Sequence, residues 1–152
     1  AIRLSKQLDA LRQCAIGSRL PDFKVKDIDG NTVSRTEVLN GKINIVTTWA
    51  SWSYESHNIL RTLKRLKKQY GKDIAMLNIC LDGNKSDYKR NTERDSITWP
   101  TICDGKMWET PLLGKMGLAT VPGNIVADSK GTVVARDLDG KQLEERIKSM
   151  MK

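Results

Sequence analysis

Apolar positions along this chain change period from one segment to the next, and the changes mark out its elements. Leu4, Leu8 and Leu11 recur at i, i+4 and i+7, which predicts a short amphipathic helix ended by Gly17 and Pro21. Phe23, Val25 and Ile28 lead into Asp29-Gly30 as a strand and turn, with Thr32-Val33 as the return strand. Ser34 is placed to cap a short helix over residues 35–39. Residues 43–50, INIVTTWA, form a nearly continuous apolar and β-branched run, the pattern of a strand buried on both faces.

The period then turns helical. Ile59, Leu63, Leu66 and Tyr70 fall on one stripe, with Leu60 at its margin and Arg61, Lys64, Arg65 and Lys68 opposite, until Gly71 stops the helix. Residues 74–81, IAMLNICL, predict a second buried strand. A polar helix over 84–95, a strand over 97–102 and a short helix over 112–116 follow. Two strands, 124–127 and 132–135, flank a DSKG turn, and Leu143, Ile147, Met150 and Met151 mark a closing helix. Strand, helix and strand, then a hairpin and a helix, imply an α/β fold with a mixed central sheet flanked by helices.

Composition narrows the function classes. The 152 residues fit one domain, and 39% hydrophobic residues supply a core. No apolar run reaches the roughly 20 residues of a membrane span. No basic-then-apolar leader opens the chain, which starts with Ala and reads as cut or processed from something longer. The net charge of +8 describes a solvated basic surface first. No interleaved aromatics or reading motif accompany it, which argues against a nucleic-acid partner. Three scattered cysteines and one histidine make neither a disulfide framework nor a paired zinc site, so no metal or cofactor is implied. Cys80 sits in an apolar strand pattern as a small hydrophobe, Cys14 near the end of the first helix, and Cys103 near a strand end.

One segment carries more than fold. Trp49-Ala50-Ser51-Trp52-Ser53-Tyr54-Glu55-Ser56 lies where a buried strand runs into a helix. Pro122 opens a P-x-x-x-x-x-D-x-x-G segment ending at Gly131, and Pro21-Asp22-Phe23 precedes Asp29-Gly30. In order and spacing these resemble the W-A-x-W-C-x-x-C, cis-proline and P-x-F…D-x-G motifs of thioredoxin-like proteins, specifically TlpA-like, AhpC/TSA-related thiol–disulfide oxidoreductases. Trp99-Pro100 and Trp108 resemble an insertion found in bacterial members. The resemblance spans about residues 16–150 and implies a thioredoxin-like domain over 16–152, preceded by an N-terminal helix over 1–15.

The family's two cysteines correspond to Ser53 and Ser56 here. Family chemistry needs a thiolate at a helix N-terminus to attack a disulfide, and a second thiol three residues on to resolve the adduct. A serine hydroxyl neither ionises near pH 7 nor carries a disulfide. His57 follows the pair, but no third group orients it toward Ser53, so hydrolytic chemistry is not favoured. The buried acid many relatives carry six residues before the first cysteine corresponds to Thr47. That substitution, and the cysteines left elsewhere, favour natural loss of the site over a working oxidoreductase with both cysteines exchanged for serine. A peroxiredoxin-like peroxidase is a third and weaker reading.

The resemblance further implies a groove between the Ser53–Ser56 helix start and the Val121-Pro122 loop, lined by Trp52, Tyr54 and Glu55. Val121 would pair there with an extended segment of a peptide or protein partner. Gly123 keeps bulk away from it. The plainer reading of Ser53 is a helix N-cap, and of Trp49 a core residue. The implied setting is the periplasm or envelope of a bacterium, and the implied role is a redox-inactive binding or accessory domain.

Overall fold

A computed structural model describes residues 16–20, 22–27, 30–50, 53–81, 99, 101–102 and 123–151. The expected helices over 1–15, 84–95 and 112–116 lie outside these, as do Cys14, Trp52, Cys103, Trp108, Val121 and Pro122.

The strand-like runs become seven strands. β1 (Lys24–Lys26) and β2 (Thr32–Ser34) form a separate antiparallel hairpin. Its turn is tied by the Asp27 carboxylate, which accepts the Asn31 amide, while Gly30 takes φ 87°. β3 (Ile43–Trp49), β4 (Ile74–Cys80), β5 (Thr101–Ile102), β6 (Asn124–Ala127) and β7 (Val133–Arg136) form one sheet in the order β5-β4-β3-β6-β7. β3 and β4 run parallel, with Ile43 opposite Ile74 and Trp49 opposite Cys80. β6 joins β3 antiparallel, with Thr47 opposite Asn124, so the sheet is mixed as the sequence predicts.

Every residue of β3 and β4 is buried, because helices and loops cover both faces. Alternation divides them. Ile43, Ile45, Trp49, Ile74 and Met76 face α2 (Tyr54–Tyr70) and α3 (Gly140–Met150), meeting Leu60, Leu63, Leu66, Leu143 and Ile147. Val46, Leu77, Ile79 and Ile125 face the other way, onto Leu20, Phe23, Val33 and Leu39. The last of these follows α1 (Arg35–Val38).

Three elements differ in detail from the pattern. On α2 the most buried stripe is Ser56, Leu60, Leu63 and Leu66, with Ile59 and Tyr70 only half-buried. The stripe rotates toward Leu60 because the first turn must also bury Ser56. Ser34 occupies the N-cap position of α1, but its hydroxyl donates to the Glu37 carboxylate at 3.0 Å instead of accepting a backbone amide. β7 starts one residue late because Thr132 pairs with Arg19. The amide of Leu20 donates to Gly131 and that of Val133 to Ser18, so residues 17–20 shield the β7 edge. At the far end, α3 is closed by a capping box between Asp139 and Gln142.

Two polar side chains hold the loops. Asn44 Nδ2 donates to the carbonyls of Gly41 and Asp128, and its Oδ1 accepts the Gly41 amide, all in the interior. Asn124 pairs with both backbone groups of Leu138, fixing the β7–α3 connection. A Cβ on Gly41 would stand 2.8 Å from the Asp73 carbonyl and 2.9 Å from the Ala75 amide, both backbone atoms. Gly41→Ala is therefore expected to lower unfolding free energy by about 1–3 kcal/mol. Asn124→Ala deprives two part-buried backbone groups of Leu138 of their partner and should cost about 1 kcal/mol or more. Urea denaturation followed by tryptophan fluorescence measures both.

Candidate functional site

The site sits where β3 gives way to α2. β3 ends at Trp49, whose carbonyl accepts the Leu81 amide, and the Ser53 amide donates back to Ala50 at 3.1 Å. That turn aims the chain into α2. Ser53 holds an extended conformation, φ −98° and ψ 112°, and its Oγ accepts the Ser56 amide at 3.3 Å. Ser53 is thus the N-cap of α2, as its residue type suggests.

Ser56 is different. It is 2% exposed, and its Oγ has no hydrogen-bond partner among the described residues. A thiol in the same place would lose little, since cysteine behaves as a small hydrophobe with a weak donor. A hydroxyl loses its water and gains nothing. The two serines therefore stand on unequal footings, one used by the fold and one tolerated by it.

Around them, Tyr54 is 76% exposed and Glu55 is exposed, on the first turn of α2. Glu55 suits the positive end of the helix dipole. The His57 ring packs edge-on against Trp49, with centroids 5.3 Å apart and planes at 79°. Its imidazole is engaged with the core tryptophan, and the Ser53 hydroxyl with the backbone, so no Ser–His pair forms between them.

Beneath the helix start a row of buried polar groups crosses three strands. Thr47 lies opposite Asn78 on β4 and opposite Asn124 on β6. Its Oγ1 donates to Asn78 Oδ1 at 3.1 Å. The row of Thr47, Asn78 and Asn124 is neutral throughout. Asn78 interrupts the apolar run of β4, while Asn124 heads that of β6, and neither is among the residues the sequence motifs point to.

The other wall is anchored at its exit. The Gly123 amide donates to Thr48 Oγ1 at 2.6 Å, and the Thr48 amide donates to the Gly123 carbonyl at 2.9 Å. Gly123 thus lies directly beside the end of β3, at the same end of the sheet as Ser53. Of the expected groove residues, Ser53, Tyr54, Glu55 and Ser56 are gathered on this helix start. Trp52, Val121 and Pro122 lie outside the described residues, and the peptide bond before Pro122 with them.

Comparison with known proteins agrees with this geometry. The model of the AhpC/TSA family matches residues 16–136. The chain belongs to the AhpC/TSA family. Within that family it resembles thiol-disulfide oxidoreductase ResA of Geobacillus thermodenitrificans, with 24% identity over 135 residues, covering 88% of this chain and 75% of the relative. Thioredoxin-like protein YneN of Bacillus subtilis is 22% identical over 137 residues, covering 86% and 78%. A solved thiol-disulfide oxidoreductase from Bacteroides fragilis superposes with a TM-score of 0.78 at 28% identity, covering 88% of this chain and 99% of its own. The fold is thioredoxin-like.

Unequal footings give opposite expectations for one pair of substitutions. Ser53→Ala removes the cap and should destabilise by about 0.5–2 kcal/mol. Ser56→Ala removes an unpartnered hydroxyl within a helix and should stabilise by about 1 kcal/mol. Thermal midpoints measured side by side, moving in opposite directions, check both.

Proposed function

We propose that this chain is a thioredoxin-like domain without thiol redox chemistry, acting as a binding or accessory module in a bacterial envelope. The reading rests on one observation: at the helix start where the family places its reactive thiols, this chain presents two hydroxyls. Ser53 Oγ is committed to its own helix, and Ser56 Oγ is buried. Neither yields a nucleophile near neutral pH, and neither can be bridged. The neutral row under the site gives the same sense, since Thr47 occupies the place of the proton-transferring acid and is tied to Asn78.

What such a domain retains is shape. An extended segment of a protein partner would add by backbone pairing at Val121-Pro122, with Trp52, Tyr54 and Glu55 as the expected groove residues, and the Gly123–Thr48 clamp at the end of β3 supports this reading. Backbone pairing needs no sulfur. The envelope setting is inferred from the kind of relative the chain resembles; among the described residues no helix is long and apolar enough to cross a membrane.

One observation favours a second reading. A buried hydroxyl with no partner is what a recent Cys→Ser exchange leaves behind, in a site whose neighbours have not adjusted. In that case the parent protein is an active oxidoreductase, and its gene encodes cysteine at both positions.

Insulin reduction in the presence of dithiothreitol tests the proposal. The chain as written is expected to match the no-protein control, and the Ser53→Cys/Ser56→Cys double variant to accelerate precipitation. Reduction by the unaltered chain overturns the reading.

A further inference from the structure

At the opposite pole of the sheet lies an open groove of about 680 Å³. Asn44, at the start of β3, faces Ala127, and its side chain binds the Asp128 carbonyl. The groove is therefore displaced from Ser53 by the length of β3, roughly 20 Å at about 3.3 Å per residue. Its walls come from the 17–20 arm, α1 and the β6–β7 turn. Arg19, Arg35 and Lys130 line it, one cation from each, and among the described residues no carboxylate does. The charges are set rather than trailing. Arg19 Nη2 donates to the Lys130 carbonyl at 3.3 Å, linking arm and turn. The Arg35 side chain is only 20% exposed and is oriented by Asp22, whose carboxylate accepts its Nε at 2.8 Å and lies largely in solvent.

Gly131 adds an independent observation. Its φ of 81° suits glycine, and a Cβ there would stand 3.1 Å from Arg35 Nη1. The bare backbone lets the guanidinium lie against the turn, at the groove wall. Cations from three elements face one groove, while the nearby carboxylates are engaged, Asp22 with Arg35 and Asp128 with the turn amides of Lys130 and Thr132, and an anion in the groove would offset the remaining positive charge. Hydroxyls of Thr36, Ser129 and Thr132 line the same space.

We propose that this groove binds the phosphate of a small phosphorylated, hydroxyl-bearing molecule, at a second site remote from the serine pair. Arg19 and Lys130 hold the phosphate oxygens with Arg35 at the back, the charge-assisted geometry such groups favour. The site is independent of the redox reading.

Pyrophosphate serves as the probe. Thermal shift and amide NMR are followed on the whole chain during titration, against sodium chloride at matched ionic strength. Saturable binding is expected, with the largest amide shifts at residues 129–132. Arg19→Gln/Lys130→Gln, which leaves the Arg35–Asp22 pair intact, should weaken it at least tenfold while keeping the midpoint in chloride alone. Lys64→Gln/Lys68→Gln, on the basic face of α2, should leave it unchanged. Three results overturn the proposal: no response beyond that to chloride, undiminished binding in the first variant, or equal loss in the second, which would mean diffuse attraction to the net charge of +8.

Discussion

The full burial of β3 is the constraint on which the remainder is built. Seven consecutive residues lose their water on both faces while pairing with β4 on one side and β6 on the other. Such a strand cannot slip, since a shift by one residue would exchange its two faces and put Asn44 where Ile43 or Ile45 packs. Its end is fixed for the same reason. Wherever Trp49 must lie, the turn at Ala50 follows, and α2 must begin where Ser53 can cap it. The position of the candidate site is a consequence of core packing and does not depend on what atom sits at residue 53.

On the proposed function, that independence lets the scaffold outlast its chemistry. Sulfur and oxygen at the same point differ little in size but greatly in acidity and in need for hydrogen bonds. At the cap, oxygen is the better acceptor, and the exchange suits the helix. One turn later the oxygen is buried and has no partner among the described residues. The fold accepts one substitution readily and carries the other at a cost of about 1–3 kcal/mol, small against the burial contributed by β3, β4, α2 and α3.

The sequence made the large elements plain because both periods were strong. INIVTTWA and IAMLNICL read as buried strands, each found one residue shorter at its C-terminal end, and α2 as an amphipathic helix ended by Gly71, as found. What periodicity missed was set by contacts across the chain. Leu60 outranks Ile59 because Ser56 is buried on its side of the helix. Thr132 leaves β7 because Arg19 claims it. The buried row of Thr47, Asn78 and Asn124 becomes a row only when the register of three strands is known. The motif residues of the site were legible from resemblance, but the contrast between Ser53 and Ser56 was not, since it depends on which hydroxyl the helix start happens to satisfy.

The central claim is that residue 53 still occupies the seat in which this fold activates sulfur, and that only the sulfur is missing. The pH dependence of iodoacetamide alkylation in a Ser53→Cys variant, located by peptide mass spectrometry, tests it most directly. The account predicts modification at residue 53 with an apparent pKa well below the ordinary cysteine value of about 8.5, because the helix start stabilises the thiolate. A pKa at or above that value, or a residue 53 that resists alkylation throughout, would contradict it.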